Sequence, residues 1–217
     1  MNQCGDKIEL IAIDPNWSTT TRQYASYLNA SILFYNSNYS AATKIYTVLT
    51  TVEDAWLKET SQYMLIRTSL NSAYATGVDK YGDVYLDNIN QNLLKQFLDN
   101  INAYLKAYPS GQYVASARGF MRRGFWLSKR QDLLVNEIVW QIKNPTSKFY
   151  NLEMSELPAE IDRRVFESTS FDLKNLKDPF FLAIYDLMYM RESSSENYRP
   201  ISWTQLNTQK ELFKTQP

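Results

Sequence analysis

The chain contains no histidine. That removes Ser-His-Asp and Cys-His catalysis, histidine metal sites and histidine pH switching together. It has a single cysteine, Cys4, so neither an internal disulfide nor a cysteine-ligated zinc site can form. Glycine is scarce, at six residues. The glycines are too dispersed for a phosphate-binding loop, and too few for the tight turns of an all-β meander. No apolar run approaches the roughly 18–20 residues of a membrane span. The longest candidate, Phe180 to Met190, is too short and carries Asp186. Charge of either sign is not in excess: 23 Lys and Arg balance 23 Asp and Glu. No global field therefore favours nucleic acid or an anionic membrane.

What remains is an ordinary globular composition, 44% hydrophobic and 21% charged over 217 residues, with sixteen tyrosines and five tryptophans. Such a chain can bury a sizeable core. Apolar spacing of three and four residues predicts helices over Tyr24–Tyr35, Tyr39–Leu49, Glu53–Tyr74, Ile89–Tyr108, Tyr113–Leu127 and Asp132–Ile142. Residues 75–88, with Gly77, Gly82 and several Asp, break the pattern. Ile8–Ile13 reads as a short extended segment ended by Asp14-Pro15. Ser18 and the threonines after it supply N-caps for the first helix. Beyond Pro145 the periodicity loosens: residues 145–178 hold Pro158, a charged patch around Glu160–Arg164 and room for one short helix. Phe180–Arg191 reads as a helix with Pro179 in its first turn. Ser193–Tyr198 reads as a loop, and Trp203–Phe213 as a last helix started at Ser202 or Thr204.

The expected fold is all-α. Three regions follow: an irregular lead-in at 1–20, a helical repeat region at 21–144, and a C-terminal helical extension at 145–217. Helices joined by a turn as short as Asn36-Ser37-Asn38 must be antiparallel neighbours.

Within 24–142 the helix pairs resemble tetratricopeptide repeats, helix–turn–helix units of about 34 residues. Tyr39, Ala42, Tyr46 and Leu49 fit the large–small–large–apolar steps of such a unit's second helix. Small Ala42 lets the paired helices approach, and Tyr46 fills the gap to the next unit. Phe97, Ile101, Tyr104 and Pro109 match the end of a unit, with Phe97 standing where a small residue is usual. The run Tyr108-Pro109-Ser110-Gly111-Gln112-Tyr113, followed by Ala117, is similar to the junction between repeats in bacterial cell-envelope repeat proteins and lipoproteins. This resemblance implies a TPR-like α-solenoid with a less regular C-terminal third. It also implies a non-enzymatic scaffold that binds a protein or peptide partner in the periplasm or at the outer membrane, with the cytoplasm as the alternative. Cys4 is then a candidate lipidation site, although Gln3 is a poor residue before a lipidated cysteine. Such an anchor is the expected route to a membrane. No cofactor, metal or nucleic acid is expected.

Two sets of side chains are candidate binding residues. Arg118, Arg122, Arg123, Lys129 and Arg130, with Trp126, form a basic cluster free of acids, suited to clamping a carboxylate or other anion. Tyr24, Tyr27, Tyr35, Tyr63 and Tyr74 are candidates to line a concave face. Arg67 and Asp186 sit in apolar helices and are expected in structural ion pairs, Arg67 with an acid and Asp186 with Arg122, Arg123 or Arg191. The acid groupings Glu53-Asp54, Asp83 with Asp87, and Glu153 with Glu156 leave open a carboxylate-dependent enzyme acting on glycans. A structural subunit of a larger envelope assembly is the third reading.

Overall fold

A computed structural model describes residues 8–166, 178–190 and 201–214. All its regular elements are helical, and the described residues contain no strand beyond one isolated antiparallel bridge between Val78 and Val84. The chain divides into two compact units, Met1–Ser128 and Lys129–Pro217. The division falls within what the sequence reads as one repeat region. Lys129, the first residue after it, has a left-handed φ of 57°.

The first unit contains α1 (Thr19–Tyr35), α2 (Tyr39–Leu49), α3 (Ala55–Tyr74), α4 (Gln91–Ala107) and α5 (Val114–Leu127). Four starts carry a side-chain cap, each accepting from a free N–H of the first turn: Ser18 from Thr21, Asn38 from Ala41, Asp54 from Leu57, and Asn90 from Asn92 and Leu93. Each helix packs on the next in sequence; α1 also touches α3, and α3 touches α5. One core cluster joins Ala30 and Phe34 of α1, Ala42 and Tyr46 of α2, and Met64 of α3. Ala42 and Tyr46 are fully buried. The Tyr46 hydroxyl reaches Ser31 at 3.0 Å, so the buried ring does not strand its polar end.

The break between α3 and α4 is an ordered turn. Asp79 accepts from the Tyr81 and Asp83 N–H groups, and a single 3-10 turn, Leu86–Asn88, leads into α4.

The α4–α5 junction depends on a residue of α3. One oxygen of Glu59 accepts from the Tyr104 hydroxyl at 2.7 Å and from the Gln112 N–H at 2.8 Å. The Tyr104 oxygen in turn accepts from the Tyr113 N–H at 3.0 Å. A Cβ at Gly111 would lie 2.8 Å from that oxygen, so the turn has room only for glycine. Further along, a Cβ at Gly124 would stand 2.7 Å from Leu98 Cδ2 and 2.9 Å from Phe97 Cε1. Phe97 has no exposed surface. Its bulk is accommodated because the facing helix has no side chain there.

The lead-in lies along α1. Asn29 accepts from the Ile11 N–H at 2.7 Å and donates to the Ile11 carbonyl at 2.9 Å, while Asn36 donates to the Ile8 carbonyl at 3.0 Å. Seven residues of helix rise about 10.5 Å, and three residues of extended chain span about 10 Å. The segment is thus extended and antiparallel to α1.

The second unit contains α6 (Gln131–Lys143), α7 (Leu157–Ile161) continuing into a π-helical turn (Asp162–Phe166), α8 (Pro179–Met190) and α9 (Trp203–Phe213). Asp178 joins two of these helices. It caps α8 by accepting from the Phe181 N–H at 3.0 Å, and it pairs with Lys143 of α6. Burial opposes its charge, but Lys143 and the Phe181 N–H outweigh this and hold the carboxyl below its ordinary range. Buried Gln141 organises the following loop by donating to the Phe149 carbonyl and accepting from the Asn151 N–H. Ser202 and Gln205 form a reciprocal capping box at the start of α9. Cys4, Arg191 and the loop 193–198 lie outside the described residues.

Two substitutions test this account. Glu59→Ala leaves the proton of the buried Tyr104 hydroxyl without an acceptor and should cost about 1–3 kcal/mol in urea unfolding. Gly124→Ala should cost a similar amount, roughly 1–3 kcal/mol, through overpacking against Leu98 and Phe97. A loss below about 0.5 kcal/mol in either would refute the corresponding contact.

Candidate functional site

The side chains of most functional interest lie on one stripe of α3 and on what it meets. Trp56, Thr60, Tyr63 and Arg67 are spaced by three and four residues, so they share a helix face. Trp56 stacks on Tyr24 of α1, with centroids 5.9 Å apart and planes 3° from parallel, and meets Tyr27 edge-on at 5.3 Å. Tyr24 is 38% exposed and Trp56 41%. The Tyr24 hydroxyl donates to Asp54, which also caps α3. Toward α5, Tyr63 stacks on Tyr113 at 4.4 Å and 15°, and its hydroxyl meets Ser116 at 2.7 Å. The Tyr113 hydroxyl meets Thr60 at 3.0 Å. An aromatic band therefore runs from α1 across α3 to the start of α5.

Arg67 stands in this band. Its guanidinium lies 5.3 Å from the centre of the Phe34 ring, and it approaches the Met64 sulfur. The expected ion pair with an acid is absent: among the described residues Arg67 meets no carboxylate, and a cation–π contact takes its place. Its charge acts on the Tyr27 and Tyr46 hydroxyls, although burial dominates and raises both above their ordinary range. Tyr104 is also raised, first by burial and then by its bond to Glu59.

The remaining concave-face candidates are dispersed. Tyr35 is 69% exposed at the end of α1, and Tyr74 at the end of α3 lies under Arg123, 5.6 Å from ring centre to guanidinium carbon. The basic cluster occupies several environments. Arg122 is buried and Arg123 faces Tyr74, while Arg118 and Trp126 are half-buried on α5. Lys129 and Arg130 belong to the second unit, where Arg130 makes two hydrogen bonds with Asp132. Asp186 accepts from Gln209 of α9 at 2.7 Å, and burial raises its carboxyl; Arg191, one of its expected partners, lies outside the described residues.

Asp83, Asp87, Glu153 and Glu156 are all exposed. Among the described residues no group of three or more His, Cys, Asp or Glu is gathered for a metal ion. No described helix is long and apolar enough to cross a membrane. No protein family, curated protein or solved structure matches the chain.

The sequence pointed to Tyr24, Tyr27 and Tyr63 but missed Trp56 and Tyr113 as their partners, and Glu59 as the acceptor for Tyr104. Trp56 and Tyr63 share the α3 stripe with Arg67, a spacing visible in the sequence.

The tyrosines give a pH test. Burial lifts Tyr46 from the ordinary 10.0 to about 12. The folded chain then holds this proton more tightly than the unfolded chain. The resulting stability is complete below pH 10 and lost as pH rises toward about 12. A Tyr46→Phe variant should lack this alkaline loss, on the order of 2 kcal/mol, measured by urea unfolding at pH 9 and at pH 11.5. An identical alkaline decline in wild type and variant would contradict it.

Proposed function

We propose that the chain is a non-enzymatic protein-interaction scaffold, a TPR-like helical stack whose aromatic band binds a peptide segment bearing a carboxylate. The carrying observation is Arg67, a half-buried cation among aromatic rings with no carboxylate partner among the described residues, continuous through Tyr27 with the exposed Tyr24–Trp56 stack. Rings with both an apolar face and a polar tip provide contact area at low entropic cost. The guanidinium provides a fixed site for an acidic side chain or a free C-terminus.

The neighbour pattern supports the solenoid part of this reading. Helix α3 touches α1 and α5 in addition to its sequence neighbours, as the first helices of successive repeats do. The competing enzyme reading needs two converging acids with at least one raised pKa, and Asp83, Asp87, Glu153 and Glu156 are exposed instead. Envelope placement rests on the resemblance of the Tyr108–Tyr113 junction. Fractionation of cells expressing the natural reading frame tests it, with recovery in the cytosol counting against it.

The binding test is selection from a random-peptide display library with free C-termini. Enriched peptides should carry Asp, Glu or a required terminal carboxylate. Trp56→Ala should weaken a synthetic winner by about tenfold or more, as expected for an aromatic hot spot. Arg67→Gln should remove the preference for the carboxylate while leaving thermal unfolding intact. An empty selection, or winners indifferent to both substitutions, would overturn the proposal.

A further inference from the structure

A second surface of the first unit lies on a different stripe of α1. Thr19, Arg22, Gln23 and Ser26 face the C-terminal half of α2 across an open cavity of about 570 Å³. Tyr24, Tyr27, Ser31 and Tyr35 occupy the other side of the helix, so this cavity is separate from the aromatic band. Its apolar lining consists of Ile13 from the lead-in and Ile45, Val48, Leu49 and Val52 from α2 and the turn after it. Leu49 is 2% exposed and Val48 66%, which gives a buried floor and an open wall. The volume lies in the usual range for small-molecule sites, roughly 300–1,000 Å³.

Two cations, Arg22 and Lys44, complete the lining, and no acid takes part. Among the described residues neither cation meets a carboxylate; the recorded contact of Arg22 is the Thr19 hydroxyl at 3.4 Å. The chain as a whole has as many acids as bases, so their absence at this one apolar site is a local property.

We infer that this cavity binds an aliphatic carboxylate of the medium-chain fatty-acid class, with the alkyl chain along Ile45, Val48 and Val52 and the head group at Arg22 and Lys44. The hydrogen-bonding inventory decides between an alkyl chain and a peptide. An extended peptide brings an N–H and a C=O at every residue, each needing a partner. Here the Ser26 hydroxyl donates its proton to the Arg22 carbonyl, and the Thr19 hydroxyl accepts from Arg22. Gln23 is the one lining side chain with an amide to offer a main chain, whereas an alkyl chain requires nothing of the wall except apolar surface.

The test is titration of the intact protein with decanoate, followed by calorimetry and ligand-observed NMR. Saturable one-to-one binding is expected. The double variant Arg22→Gln/Lys44→Gln should weaken it at least about tenfold, and Val48→Asp should abolish it; these side chains are exposed, so the fold is not at risk. Decanol should bind at least about tenfold more weakly than decanoate. Trp56→Ala should leave decanoate binding unchanged, which separates this site from the aromatic band. Equal affinity for decanoate and decanol, indifference to the double variant, or tighter binding of a short peptide with an aliphatic C-terminal residue would each overturn the inference.

Discussion

The position of α5 depends on one carboxylate oxygen. Glu59 Oε1 accepts from both the Tyr104 hydroxyl at the end of α4 and the Gln112 N–H in the turn before α5. Those two groups belong to consecutive elements, and the shared acceptor sets their separation. The Tyr104 oxygen extends the arrangement to the Tyr113 N–H, one residue before α5 begins. Tyr113, thus placed, stacks on Tyr63, and Ser116 reaches the Tyr63 hydroxyl. The aromatic band therefore follows from the turn. Without Glu59 the turn would leave a buried hydroxyl proton without an acceptor, which costs more than an average hydrogen bond contributes.

Two solutions to helix approach occur within one unit. Between α1 and α2 the small residues are Ala30 and Ala42, both without exposed surface, and the bulk comes from Phe34 and Tyr46. Between α4 and α5 the large residue is Phe97, at a position where the repeat resemblance expects a small one, and the small residue is Gly124 on the opposing helix. Only the sum of volumes across the contact is constrained at close-packed density. A motif that examines one helix sees a departure, while the pair is complementary.

This difference between one helix and a pair explains what could be read in advance. Tyr39–Leu49 and Trp203–Phe213 were placed to the residue, because their polar starts and apolar spacing are local. The α1 start moved from Tyr24 to Thr19, since Ser18 caps ahead of the first apolar residue. The contacts that half-buried charges make within their own unit are poorly legible. Arg67 faces Phe34, and Asp186 faces Gln209, because a half-buried charge takes whatever polar or polarisable group the neighbouring helix presents. Glu59 reads as one more polar residue in a helix; nothing local marks it as the acceptor for a hydroxyl 45 positions later. The aromatic band was half legible: its tyrosines stand out by number, but their stacking partners are set by tertiary packing.

Helix α1 shows how much one amphipathic element can be asked to do. One stripe carries Ala30 and Phe34 into the core, and a second carries Tyr24 and Tyr27 to Trp56. A third uses Asn29, almost fully buried, to hold the extended lead-in by its main chain. Side-chain amides that bond only to backbone do not discriminate sequence, so the apolar character of Ile8, Leu10 and Ile11 is not needed for that attachment. All three remain substantially exposed. The lead-in is thus fixed by its backbone, and the one aliphatic it turns inward, Ile13, is the one that lines the α1–α2 cavity. The asparagine clasp consequently shapes the cavity wall: Asn29 fixes Ile11, and two residues of extended chain, about 7 Å, carry that constraint to Ile13.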